Sequence, residues 1–401
     1  MYIPSFTDLV GDESVFAAEY FDRRPLLRRG ALSGPSCTEL LAVADLDDLL
    51  NSEIVRPPYI RLSAQGRDVP VDNYTRSMNV QGKDIGGYVD PKKVLRFFRT
   101  GATITWNSLG HTRPNLRAFI AVLADRFATL CDLNAILTPA GQQGFLPHHD
   151  PVDVFVVQLH GTKSWRVWPR PQTPHRDVAH YTPEKLGEPL LAASVRPGDV
   201  IYLPHGAPHA AVAEDSMSLH LSIMITPQRW SDLVLQTARS IMDSNPDFHI
   251  TPYLNSANRE QLTHDLAARL EILYTELRSR ETGQIVDDLI TASKEAVDST
   301  VTRPFADLAD AEGLSDNSIV SRHPGNAVSV EVASTNNEKS VVFVDGNRYA
   351  MPVQVAIRLA ELTPGTEIKA GDFLGSGTEI SLRTVRTLAR IGAVHVRHDS
   401  R

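Results

Sequence analysis

The sequence predicts an α+β protein of 401 residues with a β-barrel or sandwich at its centre, then a helical bundle, then a small third domain. Three observations predict it. Between Asn134 and Pro227 the chain is a series of short β-rich runs, NAILTP, DVFVVQLHG, KSWRVWP, GDVIYLP and SLHLSIMIT, split by turn residues with no long helix between them. After Arg229, Leu262, Leu266, Leu270, Leu273 and Leu277 recur at helical spacing, and Ile285, Leu289, Ala292 and Ala296 continue the pattern. From about Val328 the order becomes strand, turn at Asp345-Gly346, strand, helix (Pro352 to Leu362), turn at Pro364-Gly365, helix (Ser381 to Ile391), strand, a winged-helix-like arrangement.

The segments ahead of the centre read as a mixed α/β lead-in. FAAEYFDRRPLLRRG is helical in its first half, and Pro25 ends that helix. IRLSAQGRDVP is strand, turn at Gln65-Gly66, strand. Asp90 caps a helix from Pro91 to Arg99, with proline at its first position, and GATITWN is a short strand. From Pro114 to Cys131, Leu116, Ile120, Leu123, Phe127 and Leu130 mark an amphipathic helix packed on the β-rich region. Within that region, the irregular interval from Pro169 to Pro189, which holds His175 and His180, is too long for a simple connection and suits a lid or binding loop.

Bulk properties narrow the function classes. A composition 42% hydrophobic and 22% charged is that of a folded globular chain. The net charge of -8 and a pI near 6.0 exclude a surface built throughout to coat nucleic acid. Cys37 and Cys131 are far apart and without a partner motif, which supports neither a disulfide framework nor a thiolate zinc site. MYIPSFTDL has no basic and apolar leader pattern, and no window is apolar enough to span a bilayer, so a cytoplasmic protein with no membrane contact is expected.

The chemistry is concentrated in Gly144 to Trp168, GFLPHHDPVDVFVVQLHGTKSWRVW. On a strand, side chains alternate, so His148 and Asp150 point one way and His149 the other. Two donors for a divalent metal are thereby paired, and one more histidine would complete a 2-His-1-carboxylate triad with open positions for substrate and oxygen at Fe(II). His209, at the start of a strand after the turn in GDVIYLPHGAPH, is the favoured third ligand. His205, within that turn, is its rival, with solvent exposure as the plainer account. Lys163 stands in an otherwise apolar and aromatic strand. If it is buried it needs an anion, and the far carboxylate of a metal-bound 2-oxo acid is suitable; an exposed strand lysine is the equal alternative. Asn134 and Ser222, the latter sharing a strand face with His220, are placed to donate hydrogen bonds to the same ligand.

These runs together closely resemble the JmjC-domain Fe(II)/2-oxoglutarate-dependent oxygenases, and among them the ribosomal oxygenases, which hydroxylate ribosomal proteins on arginine or histidine side chains. The likeness extends to FDRRPLLRRG, RTGATITWNSLG and the helical and C-terminal regions, nearly the whole chain. It implies a double-stranded β-helix (jelly-roll, cupin-like JmjC) core over 101–228, supported by an α/β region over 1–100. It further implies a helical dimerisation domain over 229–310, hence a homodimer, and a winged-helix domain over 320–401. It implies His148, Asp150 and His209 as iron ligands and catalytic residues, with Lys163, Asn134 and Ser222 holding 2-oxoglutarate and O2 as the second cosubstrate. The chain departs from the histidine-hydroxylating members at Ile136, where a substrate-contacting tyrosine is usual, and at Met224, where a serine is usual. The expectation is a hydroxylase of a polypeptide, foremost a ribosomal protein; a small peptide or peptide natural product is the alternative substrate, and a non-enzymatic cupin-like binding or regulatory protein the alternative class. With ten Lys/Arg against eight Asp/Glu from Ser321 to Arg401, the C-terminal domain is near neutral. A nucleic-acid contact there, through Arg383, Arg386 and Arg390, is the minority reading.

Overall fold

In the computed structural model, which describes residues 2–52, 54–171, 177–295, 304–322, 328–331, 339–344, 347–362, 366–375 and 378–398, the chain divides into two units, Met1–Val297 and Asp298–Arg401. The first begins with short helices α1 (Phe6–Val10) and α2 (Glu13–Val15) and a π-turn, then β1 (Leu26–Arg28), α3 (Gly34–Leu40) and α4 (Val43–Asn51). Next come β2 (Ile60–Ala64), β3 (Arg67–Asp68), the exposed hairpin β4 (Thr75–Val80) and β5 (Lys83–Val89), α5 (Pro91–Arg99) and β6 (Thr103–Trp106). The expected cap of α5 is present: the Asp90 carboxylate accepts from the backbone N–H groups of Lys92 and Lys93 at 3.0 and 3.3 Å. Gly66 at the β2–β3 tip has a φ of +75°, and a Cβ there would lie 2.5 Å from Leu146 Cγ. Glycine thus lets the hairpin press against the segment leading to His148.

Helix α6 runs Pro114–Phe127, not to Cys131. Ala128 takes a left-handed conformation that ends it, and Leu130 is left exposed. The β-rich region then supplies β7 (Cys131–Thr138), β8 (His148–His149), β9 (Asp153–His160), β10 (Lys163–Val167), β11 (Ala179–His180), β12 (Leu191–Val195), β13 (Val200–Leu203), β14 (His209–Ala213) and β15 (Ser218–Ile225). They form two facing sheets: a large one in the order β1-β13-β9-β15-β7-β6-β2-β3, and a smaller one in the order β11-β8-β14-β10-β12. Every pairing is antiparallel within both. The large sheet is buried on both faces. Its outer face, with Leu133, Ala135, Leu137, Phe155, Val157, Leu221 and Ile223, packs against the N-terminal helices and α6, each large side chain contributing about 1.5–3 kcal/mol by leaving water. Its inner face meets the small sheet through Val154, Val156, Trp165, Val167, Ile201 and Leu203. The site lies on this inner side.

Helices α7 (Trp230–Ser244), α8 (Arg259–Ser279) and α9 (Thr282–Glu295) complete the first unit. Helix α8, bearer of the leucine stripe, has no fully buried residue: Leu266 and Leu270 are 59% and 57% exposed, while Leu262, Leu273 and Leu277 are half-buried.

The second unit contains α10 (Pro304–Glu312), β16 (Ile319–Arg322), β17 (Val328–Glu331), β18 (Ser340–Val344), β19 (Asn347–Met351), α11 (Val353–Glu361), β20 (Glu367–Lys369), α12 (Thr378–Arg390) and β21 (Val394–Arg397). Two three-stranded sheets, β20-β16-β21 and β17-β18-β19, surround a core that includes Leu359, Phe373, Val385 and Val394. Helix α10 and β16 precede the elements read from the sequence. Arg386 is not a free surface cation, since its Nε donates to Ala311 O at 3.2 Å. His175, Ala296 and the expected turns at Asp345-Gly346 and Pro364-Gly365 lie outside the described residues.

Candidate metal centre and cosubstrate pocket

His148 and His209 are opposite one another on β8 and β14, neighbouring strands of the small sheet. Strand β8 ends at His149, so Asp150 sits just beyond it, in a segment fastened by Gly206 N–H donating to Asp150 O at 2.8 Å. The three side chains converge: their ligand atoms lie within 4.8 Å of one another, with Asp150 Oδ2 at 3.8 Å from His148 Nε2 and 3.7 Å from His209 Nε2. Each imidazole is oriented the same way. His148 Nδ1–H donates to Leu146 O at 2.8 Å and His209 Nδ1–H to Ala207 O at 3.1 Å, in both cases the carbonyl two residues upstream. That fixes the tautomer and leaves both Nε2 lone pairs facing Asp150, the arrangement a metal needs. Burial, and then the neighbouring His148, push the His209 imidazole down to about 4, so it is neutral and ready to ligate.

Two other histidines nearby, His149 and His205, have different work. His149 faces away as alternation requires, accepting from the Tyr181 hydroxyl at 2.7 Å and donating to Asp177 O at 2.9 Å, which anchors the far part of the Pro169 to Pro189 loop to β8. His205 is outside the triad, and the reason is not exposure. Its side chain lies beside Asp22 at 3.1 Å and Arg170, itself hydrogen-bonded to Asp22, and is mostly buried there. Nearby, Tyr202 donates to the buried Asp153 at 2.6 Å and accepts from Asp22 N–H at 3.0 Å, so the N-terminal segment braces the turn that precedes His209.

Behind the triad is a cluster of buried polar side chains. Lys163 is 3% exposed, and Nζ donates to Thr138 Oγ1 at 3.0 Å. No carboxylate among the described residues pairs with it, and burial pulls its ammonium down to about 7. A cation held dry without a counter-ion is costly, so the site fits an anionic ligand. The β7–β15 register pairs Ser218 with Thr138, His220 with Ile136, Ser222 with Asn134 and Met224 with Asp132, which places both sets of residues on the inner face. Asn134 Oδ1 accepts from Ser108 N–H at 3.0 Å, leaving its amide donors toward Met224 Sδ at 3.8 Å. Trp165 stacks on His209 at 6.0 Å between ring centres and meets His220 edge-on at 5.5 Å. Thr105 Oγ1, Trp165 Nε1 and His220 Nδ1 are buried with no hydrogen-bond partner. Arg28, Trp106, Gln158 and Arg229 carry such atoms too; what sets these three apart is that they share the inner face with Lys163 and the triad, where a bound ligand would satisfy them.

All the residues selected from the sequence thus belong to one place: His148, Asp150 and His209 at one end, Lys163 at the other, Asn134, Ser222, Ile136 and Met224 along the connecting strands. Thr138, Thr105, Trp165 and Asp132 were not singled out. Period-two alternation from Lys163 to Trp165, and from Ile136 to Thr138 and back to Asp132, was the signal that could have found them.

A cupin-like double sheet with a His-x-Asp and a distant histidine defines the class, and comparison shows what part of the chain is similar to. Residues 112–233 match the JmjC domain model, and the chain carries a JmjC domain. Similar proteins include ribosomal oxygenases. Ribosomal oxygenase 1 of Rattus norvegicus is 33% identical over 205 residues, 49% of this chain and 32% of the relative. Ribosomal oxygenase 1 of Homo sapiens is 31% identical over 223 residues, 52% and 33% of the two chains. The bifunctional lysine-specific demethylase and histidyl-hydroxylase NO66 of Dictyostelium discoideum is 32% identical over 177 residues, 42% and 34%. The matches span about a third of the length of these curated relatives. Among solved structures, YcfD, a ribosomal oxygenase from Escherichia coli in complex with cobalt and 2-oxoglutarate, superposes with a TM-score of 0.55 at 16% identity, covering 97% of this chain and 99% of that one, a likeness of fold.

Proposed function

We propose that this protein is an Fe(II)- and 2-oxoglutarate-dependent hydroxylase of a protein side chain, with a ribosomal protein as substrate. The observation that carries the reading is a pair of features on one inner face: three convergent candidate ligands, and a buried lysine with no counter-ion among the described residues. His148, Asp150 and His209 would hold the iron, and Lys163 the far carboxylate of 2-oxoglutarate, with Asn134 and Ser222 donating along its length. Bound iron supplies the chemistry, activating O2 so that one oxygen atom enters a C–H bond while 2-oxoglutarate leaves as succinate and carbon dioxide. The chain's own part is to keep both imidazoles aimed and the His209 imidazole neutral, to exclude water through the Trp165 and Ile136 walls, and to place the target carbon. Asp132, on the same inner face and held by the Ser108 hydroxyl at 2.7 Å, supplies a carboxylate suited to a cationic side chain. With Ile136 and Met224 in place of tyrosine and serine, it favours arginine over histidine as the target.

A homodimer is supported by the exposed Leu266 and Leu270 of α8, an apolar stripe that a second copy would cover. The helices and paired sheets of the second unit suit a winged-helix domain, and two free cysteines suit the reducing cytoplasm. Iron-loaded protein incubated with ribosomal proteins from a strain lacking it is expected to form succinate and to add one oxygen atom to one ribosomal protein. Succinate that does not depend on any polypeptide, with no mass shift, would remove the ribosomal reading, and His148→Ala should abolish both signals.

A further inference from the structure

His220 is 4% exposed, and its Nδ1 is buried without a hydrogen-bond partner. Leaving such a group unmatched costs about 1–3 kcal/mol, which a histidine kept only for packing would avoid by being apolar. Its position is specific. On β15 it is one inward place from Ser218, the residue opposite Thr138, which holds Lys163; the next inward place is Ser222, opposite Asn134. The edge contact with Trp165, which stacks on His209, sets it between the cationic end and the metal end. After burial itself, the charge that acts most strongly on the imidazole is that of Lys163, so an anion drawn to that ammonium would stand beside His220. We infer that His220 is a cosubstrate-contacting residue whose Nδ1–H donates to the distal carboxylate of a 2-oxo dicarboxylic acid beside Lys163. This rests on the oxygenase reading above, and it adds a second determinant of which 2-oxo acid is accepted.

Calorimetry on the manganese-loaded protein without oxygen tests it, with 2-oxoglutarate and with 2-oxobutyrate, which lacks the distal carboxylate. His220→Phe, a ring of similar size without the N–H, is expected to weaken 2-oxoglutarate about ten- to hundredfold while changing 2-oxobutyrate and manganese by less than about twofold. His220→Asn, whose amide lies close to the Nδ1 position, should recover most of the loss. No loss in the Phe variant, as expected if a water alone met Nδ1, or an equal loss for both acids, overturns the inference. Wild-type protein that binds neither acid would instead fell the oxygenase reading itself. Should the Phe variant not fold, the unaltered chain decides: in the zinc-loaded protein the His220 N–H proton resonance should move downfield with 2-oxoglutarate and stay with 2-oxobutyrate. A shift common to both acids, or to neither, overturns it equally.

Discussion

Lys163 gives the site a pH dependence whose sign and size derive from its burial. Its ordinary value is 10.5, and desolvation lowers it to about 7. In the ligand-free protein the ammonium therefore becomes neutral as pH rises through 7, although only the charged form pairs with a carboxylate. The charged fraction is about a tenth near pH 8 and about a hundredth near pH 9, so affinity for 2-oxoglutarate should fall about tenfold per pH unit, about 2.7 kcal/mol over two units. Binding should also take up nearly one proton near pH 9 and almost none near pH 6. Isothermal titration of the manganese-loaded protein in two buffers of different ionisation enthalpy measures both quantities. 2-Oxobutyrate serves as the control, because it has no distal carboxylate and should show neither effect. The same shift bears on stability: a depressed amine contributes fully above its unfolded value of 10.5 and loses that contribution as pH falls through about 7, a difference of roughly 5 kcal/mol. Lys163→Met should accordingly stabilise the ligand-free protein below about pH 7 while removing 2-oxoglutarate binding. An affinity that stays flat from about pH 6 to pH 9, with no buffer-dependent enthalpy, would refute the assignment of Lys163 as an unpaired buried cation.

Further consequences can be checked separately. His148→Ala or His209→Ala should eliminate tight manganese binding, whereas His149→Ala should keep it and lower stability by about 2 kcal/mol, because its lost partners are Tyr181 and Asp177 rather than the metal; metal titration and chemical denaturation separate the two. Burial raises the Asp153 carboxyl to about 6 from 3.8, so its contribution to stability is fully present below about pH 4 and lost as pH rises through about 6, roughly 3 kcal/mol in all. Denaturation across that window should lose this slope in Asp153→Asn. Leu270→Glu, at a 57% exposed position, should turn a dimer into a monomer in sedimentation without altering metal binding; a wild-type chain already monomeric would dismiss the α8 interface.

How far the site could be read in advance depended on whether the deciding contact was local. His148 and Asp150 needed only the alternation of side chains, and the structure agrees even though the strand stops at His149. His209 against His205 was harder, because what occupies His205 is Asp22, far away in sequence and brought there by the packing of the N-terminal segment on Tyr202. Lys163 was an even choice between buried and exposed until the strand carrying Thr138 was in place. Periodicity showed that α8 is amphipathic but carries no information about the partner of its apolar side, and in the structure that helix has no fully buried residue. The end of α6 was misread for a similar reason: Leu130 continues the helical spacing, yet a left-handed Ala128 had already broken the backbone.

The same distinction explains why the candidate metal site is legible in the sequence and the proposed target is not. The ligands and the lysine come largely from one continuous stretch, Gly144 to Trp168, with His209 added from one neighbouring strand. The residues facing the open end, Asp132, Ile136 and Met224, come from β7 and β15, which are adjacent only because the large sheet orders its strands β9-β15-β7. Met224 stands opposite Asp132 across that pairing although ninety-two residues separate them. On the proposed reading a substrate side chain would therefore be selected by a surface that no sequence window contains, and a change at one strand would be felt through its neighbour on the other. Exchanging Ile136 for tyrosine alone should leave the target unchanged, because Asp132 would still favour a cation. Only the combined change of Ile136 and Met224 with removal of the Asp132 charge should admit imidazole, an outcome measurable by competing arginine- and histidine-bearing peptides for the manganese-loaded protein.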